Sequence, residues 1–289
     1  MAEQSMQGKV ALVTGATNGI GRVAAMALAK RGAEVVIVGR DPARTASALA
    51  WIKEQSGSER VTALLGDLSR QGEVRRVAAE FRAHHAALHV LLNNAGALFH
   101  QRTENADGQE MTFALNHLGY FVLTAELRPL LEASAPARIV SVASEAHRGA
   151  TLDFDDLNSA RGYSRIKAYS RSKLCNILFT RELARRLAGT GVTANCIHPG
   201  VVATGFAAGT GLAGALVKLA QPFLLTPEKG ADTLVWAATH PELEGQTGLY
   251  FAKRKIKTPS AAARDDAAAA RLWDVTEALV SASPRAATA

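Results

Sequence analysis

The sequence predicts an α/β protein built on a doubly wound parallel sheet of about seven strands, with helices on both faces. Short apolar runs alternate with longer segments of helical periodicity between Val10 and Phe251. Because these runs are apolar throughout, the strands they form are expected to be covered on both faces, as parallel strands are. The segments between them then serve as the right-handed helical crossovers that parallel neighbours require.

The strands and helices follow in a regular order. The predicted strands are Val10–Val13, Glu34–Val38, Val61–Leu65, Leu88–Leu92, Arg138–Val142, Val192–Ile197 and Leu249–Phe251. Helices are expected at Ile20–Arg31, from Pro42, after Ser69, through about Leu131, at Ala168–Leu187 and at Glu228–Thr239. Asp41 and Ser69 are the predicted N-caps of the second and third helices, and Gly32 is expected to end the first.

No linker or internal repeat divides the 289 residues, so one domain is predicted over residues 1–289. Its core is expected over about residues 9–251, followed by an alanine-rich helical extension at about residues 260–281. Hydrophobic residues make up 48% of the chain and there are two cysteines, which excludes a disordered chain and a disulfide scaffold. We find no signal peptide, and Lys218 interrupts the most apolar stretch, so we expect a cytoplasmic protein without a membrane anchor.

The chain is basic, with 33 Lys and Arg against 26 Asp and Glu and a formal charge of +7. Most basic residues are scattered, and the dense cluster Lys253–Lys257 is predicted to be a solvated loop or, alternatively, a phosphate- or partner-binding patch. No nucleic-acid-binding motif accompanies it, so we expect no nucleic-acid partner. His84, His85 and His89 are close in sequence, but no carboxylate or cysteine completes a metal site, and no metal is predicted.

A glycine-rich turn follows the first strand, with the spacing G-x-x-x-G-x-G. Glycines at these positions permit a tight turn and let the backbone approach a pyrophosphate at the N-terminus of the next helix. The spacing alone is a weak signal, but its place directly after the first strand strengthens it. The cofactor-contacting residues predicted here are Gly15, Thr17, Asn18, Gly19, Ile20 and Gly21.

The end of the second strand predicts the choice of cofactor. A carboxylate at this place would bind the ribose hydroxyls of NAD and repel the 2′-phosphate of NADP. Asp41 has a competing role as the N-cap before Pro42, whereas Arg40 offers a planar cation to a phosphate. NADP(H) is therefore favoured over NAD(H). Asp67, just after the third strand, is interpreted either as a ligand of the adenine amino group or as a simple cap or turn residue.

Tyr169 and Lys173 lie at i and i+4 on one helical face. A nearby ammonium favours the phenolate and brings a tyrosine closer to acid/base chemistry at neutral pH. Ser144 follows the fifth strand, Asn93–Gly96 the fourth and Pro199–Gly200 the sixth. Since the carboxyl ends of parallel strands meet at one edge, these residues are expected to line one crevice.

This ordered set resembles the short-chain dehydrogenase/reductase family from about Lys9 to Phe251. Its members are Thr14–Gly21, Asn93–Gly96, Asn116, Ser144, Tyr169 with Lys173, and Pro199–Thr204. Four further segments resemble the retinol-dehydrogenase-like branch: Leu115–Gly119, Arg138–His147, Tyr169–Leu183 and Ala270–Asp274. The ordered set is specific, although no single member is.

The resemblance implies a Rossmann fold and a set of residue roles. Tyr169 exchanges a proton with the substrate oxygen, Ser144 hydrogen-bonds that oxygen, and Lys173 lowers the tyrosine pKa and holds the nicotinamide ribose. Asn116 is implied to hold a water that connects Lys173 to solvent. Cofactor contacts are implied at Asp67, Leu68, Asn93, Asn94, Ala95, Gly96, Tyr169, Lys173, Pro199, Gly200, Val202 and Thr204.

These observations predict an NADP-dependent oxidoreductase acting on an apolar aldehyde, ketone or alcohol, with Phe206–Leu225 as a mobile apolar lid. The alternatives are a non-catalytic NADPH-binding sensor on the same fold, and an epimerase or dehydratase with the same Tyr/Lys pair. The interval between Ser144 and Tyr169 is longer than in many family members, and its acidic residues are interpreted as a surface loop. Homo-oligomers, common in the family, are possible for this chain.

Overall fold

The computed structural model describes residues 5–202 and 225–282. Thr204 and residues 206–224 of the predicted lid lie outside these ranges. In the described ranges, none of the helices combines the length and apolar character that a membrane span requires.

Within these described ranges the sheet has eight strands, in the order β3-β2-β1-β4-β5-β6-β7-β8. All neighbours are parallel except β7 and β8, which form an antiparallel pair. The strands are β1 Val10–Thr14, β2 Glu34–Gly39, β3 Val61–Leu65, β4 Val90–Asn93, β5 Ala137–Val142, β6 Val192–His198, β7 Tyr250–Ala252 and β8 Lys255–Ile256. The predicted doubly wound sheet is confirmed.

The eighth strand lies inside the basic cluster, which was expected to be a loop. Lys253 and Arg254 form the turn between β7 and β8, with φ values of 52° and 55°. Such positive values suit the tight turns that join antiparallel strands. The solvated-loop prediction is therefore wrong for Lys255 and Ile256, which pair with Ala252 and Phe251.

The helices are α1 Gly19–Lys30, α2 Pro42–Ser56, α3 Gln71–His84, α4 Met111–Phe113, α5 Gly119–Ala133, α6 Arg165–Arg186, α7 Pro227–Thr239 and α8 Asp266–Ala282. A π-helical turn, Ala114–Leu118, joins α4 to α5. Short 3-10 turns occur at Glu145–Gly149, Pro241–Leu243 and Ala262–Arg264.

One of the two predicted N-caps is present. Asp41 caps α2, because its side chain accepts a hydrogen bond of 2.8 Å from the Arg44 amide. Ser69 does not cap α3, which has Arg70 at its N-cap. The Ser69 hydroxyl instead donates to Asp67 Oδ1 at 2.7 Å, and the first α3 amide donates to Asp107 at 2.9 Å. A carboxylate distant in sequence thus replaces the local cap.

The core has two layers, one on each face of the sheet. Leu12 and Leu91 belong to the layer formed with α3, α5, α6 and α8, whereas Val13 and Leu92 belong to the layer formed with α1, α2 and α7. Successive residues of β1 and β4 thus face opposite layers, as the pleat requires. Burial on both faces explains why these strands are apolar throughout.

The connections reverse direction between β1 and β4. From β1 the chain proceeds outward to β2 and β3, and it then returns to β4 on the other side of β1. In open parallel sheets, ligands bind in the crevice outside the carboxyl ends of the strands at such a reversal. The topology therefore places a crevice at the ends of β1 and β4.

Candidate active site

A cavity of about 830 Å³ opens at this edge of the sheet. The predicted site residues that line it are Gly15, Thr17, Asn18, Gly19, Ile20, Gly21, Arg40, Asp67, Leu68, Asn94, Ala95, Gly96, Ser144, Tyr169, Lys173, Pro199, Gly200 and Val202. We refer to the part formed by Gly15–Gly21, Arg40 and Arg44 as the turn end, and to the part formed by Ser144, Tyr169 and Lys173 as the tyrosine end. Arg40 follows β2 and Ser144 follows β5, and these two strands lie roughly 14 Å apart across the sheet.

The glycine-rich turn packs directly against the end of β4. Gly15 has φ +63°, and a Cβ at this position would lie 2.6 Å from Ala95 Cα. A Cβ on Gly21 would lie 2.5 Å from the Gly15 carbonyl oxygen. Within the described residues, Asn18 occupies the N-cap of α1 without a side-chain bond to the helix. The first amide groups of α1 are therefore available to an anion.

Thr14 and Asn94 hold this turn in place. The Asn94 side-chain amide donates to the carbonyl oxygens of Thr14 and Gly15, at 2.9 and 3.2 Å. In return, the Thr14 hydroxyl accepts the amides of Asn94 and Ala95. Asn93, which the resemblance implied at the cofactor, does not line the cavity; its side chain donates to Thr124 Oγ1 inside the core at 3.0 Å.

Two guanidinium groups border the turn end. The Arg40 side chain is 66% exposed, and its Nη1 lies 3.9 Å from Asp67 Oδ2. Arg44, one turn into α2, also lines the cavity and was not predicted. Asp67 acts as a turn residue through Oδ1, which accepts from the Ser69 amide and hydroxyl. Its other oxygen faces Arg40, so the two interpretations of Asp67 do not exclude one another.

At the tyrosine end, the buried Lys173 lies beside the half-buried Tyr169. Lys173 is 3% exposed, and its Nζ lies 5.5 Å from the Tyr169 ring centroid and donates to the Val142 carbonyl at 2.9 Å. Burial lowers the pKa of Lys173 to about 7. Burial also raises the pKa of Tyr169 to about 12, against the lowering effect of a hydrogen bond with Ser144. Desolvation therefore dominates the tyrosine pKa, contrary to the lowering expected from Lys173.

Ser144 lies between β5 and the 3-10 turn Glu145–Gly149, which it immediately precedes. It is the N-cap of that turn, and its hydroxyl accepts from the Ala146 amide at 3.2 Å. The same side chain hydrogen-bonds with Tyr169. Two hydroxyl groups thus converge at the tyrosine end, where they would both reach a single substrate oxygen.

Asn116 lies on the π-helical turn and is buried behind the cavity. Its amide group accepts from the Ala97 amide at 2.9 Å and donates to the Ala97 carbonyl and to Ser172 Oγ, both at 3.0 Å. It thus connects the segment after β4 to the residue before Lys173. The water-holding role implied for Asn116 stays a prediction.

Sequence reasoning missed one wall of the cavity, formed by Ala97, Leu98, Phe99 and Leu115. Tyr163, in the long interval before Tyr169, donates from its hydroxyl to the Phe99 carbonyl at 2.9 Å. The interval is therefore more than a surface loop. Its tyrosine was a visible signal, but a contact across 64 residues has no local pattern.

Among the residues in 5–202 and 225–282, no group of three His, Cys, Asp or Glu side chains is placed to hold a metal ion. The cavity is instead suited to a dinucleotide. The glycine cradle allows close backbone approach, and free helix amides and guanidinium groups favour phosphates.

Comparison with known proteins agrees with this geometry. The family model described as short chain dehydrogenase matches residues 9–212. The chain belongs to this family. Retinol dehydrogenase 12 of Homo sapiens is 43% identical over 270 residues, covering 93% of this chain and 85% of that relative. Retinol dehydrogenase 14 of Mus musculus is 41% identical and covers 95% and 86%. This short-chain dehydrogenase is therefore a retinol-dehydrogenase-like oxidoreductase of a nicotinamide-dependent family.

Solved structures with a similar fold are found as well. An uncharacterised protein from Mycobacterium paratuberculosis has a TM-score of 0.80 and 32% identity, with 96% of both chains covered. RhlG of Pseudomonas aeruginosa, solved as an NADP active-site complex, has a TM-score of 0.69 and 28% identity, covering 91% of this chain and all of that one.

Proposed function

We propose that this short-chain dehydrogenase is NADP(H)-dependent and interconverts an apolar aldehyde or ketone and its alcohol. The convergence of Ser144, Tyr169 and Lys173 at one end of a cavity that carries Arg40 and Arg44 at the other is the observation that supports this. Hydride chemistry needs a proton donor and a fixed substrate oxygen at the same place. The tyrosine end offers both.

Residues of the turn end hold the cofactor. The glycine-rich turn and the first backbone amides of α1 would bind the pyrophosphate, and Arg40 and Arg44 would bind the 2′-phosphate. Their positive charge supports a preference for NADP(H) over NAD(H). A neighbour in the same family, RhlG, was solved with NADP. When bound, the nicotinamide supplies the hydride in reduction and accepts it in oxidation.

The chain's own residues move the proton. Tyr169, with its pKa raised to about 12, stays protonated at neutral pH and donates to the carbonyl oxygen during reduction. Ser144 hydrogen-bonds the same oxygen and fixes its position. As the proton leaves, Lys173 stabilises the phenolate electrostatically. In alcohol oxidation the same groups act in reverse.

The wall formed by Ala97, Leu98, Phe99 and Leu115 supports an apolar substrate. Aliphatic and aromatic side chains favour hydrocarbon surface, while the hydroxyls at the tyrosine end orient the polar group. The names of the relatives make retinal a member of the substrate class to be tested.

We also propose that the enzyme works in the cytoplasm.

The test is NADPH oxidation, followed by its absorbance, with medium-chain aldehydes, aromatic ketones and retinal. Turnover that disappears in Tyr169→Phe supports the proposal. NADPH binding without turnover on every compound favours the sensor. Substrate conversion without net NADPH consumption favours an epimerase or dehydratase.

A further inference from the structure

His147 is completely buried three residues after Ser144, and both of its ring nitrogens are hydrogen-bonded to backbone. Nδ1 lies 2.6 Å from the Ser144 carbonyl oxygen, and the Ser260 amide donates to Nε2 at 3.1 Å. A carbonyl only accepts and an amide N–H only donates. The ring therefore carries its proton on Nδ1 and is uncharged.

The two partners of His147 belong to different parts of the molecule. Ser144 begins the 3-10 turn at the tyrosine end. Ser260 lies in the segment 258–264, which leads from β8 to α8, and the Arg148 side chain also donates to the Thr258 carbonyl there, at 2.7 Å. Helix α8 then packs on α6, the helix of Tyr169 and Lys173. The His147 imidazole thus connects Ser144 to segment 258–264. This segment continues into α8, which packs against α6, the helix that carries Tyr169.

We propose that His147 is a positioning residue that fixes Ser144 relative to Tyr169 by joining the Ser144 carbonyl to segment 258–264. This inference rests on the proposed function, because it concerns the same substrate oxygen. His147 does not touch the substrate. It restricts the backbone of Ser144, and a displacement of about 1 Å in a reacting group costs about 100-fold in rate.

Proton uptake by His147 would break the connection, since a second N–H at Nε2 would then face the Ser260 amide. Burial is the main cause that lowers the pKa of His147, and the nearby Arg148 and Lys257 act in the same direction. Glu145 and the Ser144 carbonyl act in the opposite direction. The Tyr250 ring packs edge-on at 5.3 Å, and His198 is a further titratable neighbour. His147 is thus neutral at pH 7 and loses the connection at acid pH.

Two substitutions with amide side chains remove the two hydrogen bonds of His147 one at a time. In His147→Asn, the side-chain amide nitrogen reproduces Nδ1 and the Ser144 bond is kept. In His147→Gln, the side-chain oxygen reproduces the Nε2 acceptor and the Ser144 bond is lost. We expect His147→Gln to lower kcat by about 10- to 100-fold at unchanged NADPH Kd. His147→Asn loses the Ser260 bond and should lower kcat to a similar extent, and both variants should lose the acid limb of the kcat–pH profile because neither carries the imidazole.

The control is His84→Asn, which changes an exposed histidine on α3 and should leave kcat and its pH profile unchanged. Wild-type kcat or an intact acid limb in either variant would overturn the proposal. Nitrogen-15 NMR of labelled histidine provides a readout independent of turnover. It should show the Nδ1–H tautomer of His147 at pH 7, and the Nε2–H tautomer would refute the connection even if no carbonyl compound is reduced.

Discussion

At the turn end of the cavity the groups available to a ligand are backbone amides and exposed guanidinium groups, whereas at the tyrosine end they are buried and half-buried side chains. Gly15 and Gly21 contribute by having no side chain, and Arg40 is two-thirds exposed. Lys173 and the adjacent Asn116 are buried, and Tyr169 is half-buried. The same cavity therefore combines a binding surface with a desolvated reaction centre.

The two ends of the cavity are suited to different tasks. Amides and exposed cations keep their charge distribution in water and suit the binding of phosphates. Burial instead shifts protonation equilibria, and it moves the pKa of Tyr169 up to about 12 and that of Lys173 down to about 7. Substitutions at the two ends should therefore separate binding from turnover.

The largest effect is expected from Tyr169→Phe, which removes the proton donor and keeps the ring. We expect kcat to fall by about 10²- to 10⁴-fold, the usual contribution of general acid/base catalysis. NADPH Kd from fluorescence titration and the thermal unfolding midpoint should stay near the wild-type values. Turnover that persists in this variant would show that Tyr169 is not the proton donor and that catalysis is not confined to the tyrosine end.

At the turn end, Arg40→Asp should change cofactor choice without abolishing turnover. The carboxylate repels a 2′-phosphate and can accept from ribose hydroxyls. We expect the NADP/NAD ratio of kcat/KM to fall by about 10- to 100-fold, in line with the loss of a charge-assisted hydrogen bond. Arg44→Ala should change the ratio in the same direction but less. An unaltered ratio in Arg40→Asp would contradict the assignment of the 2′-phosphate.

Gly15→Ala tests the close approach of the turn to β4. The new Cβ would lie 2.6 Å from Ala95 Cα, so the turn must shift away from the cavity wall. We expect NADPH Kd to rise by about tenfold, or ~1.4 kcal/mol. Gly57→Ala is the matched control, because Gly57 also has a positive φ (+67°) but nothing within 4 Å of its Cβ position. If both variants weaken NADPH binding equally, backbone strain and not close approach is the cause.

Much of the fold was visible in the sequence, because buried parallel strands and their crossovers leave local patterns. The apolar runs, the N-cap Asp41 and the positive-φ Gly32 that follows the end of α1 are explained by residue-level preferences. Strand β8 was missed because both of its residues, Lys255 and Ile256, are exposed and because its pairing depends on the turn at Lys253 and Arg254.

The site was less predictable where it depends on contacts between distant residues. The order of turn and strand-end residues places the glycine cradle, Ser144 and Tyr169 at one edge. The bonds of Asn116 to Ala97 and Ser172, and of His147 to Ser260, cross 19, 56 and 113 residues and leave no local pattern. The dominance of burial over charge at Tyr169 also required the packed structure, since desolvation is a property of the surroundings.

The smallest expected effect is a pH dependence of stability caused by Lys173. Burial lowers its pKa from 10.5 to about 7, so between these values the unfolded chain binds more protons than the folded protein. Stability therefore rises with pH across this window and is lost as pH falls toward 7. Lys173→Met removes the titrating group and should flatten the slope. Between pH 7 and pH 9 we expect the two proteins to diverge by on the order of 1 kcal/mol in the free energy of unfolding.

Urea unfolding at several pH values measures this difference, and comparison with the variant removes the opposing contribution of the buried thiols of Cys175 and Cys196, whose pKa values burial raises. Lys30→Met, at an exposed lysine of α1, is the control and should keep the wild-type slope. The range stays below pH 10, because Tyr169 then begins to act in the opposite direction: its raised pKa makes the folded protein lose stability above that pH. Parallel curves for wild type and Lys173→Met would mean that Lys173 is solvated in solution. The tyrosine end would then differ from the turn end in position alone, since the desolvation that separates them here would be absent.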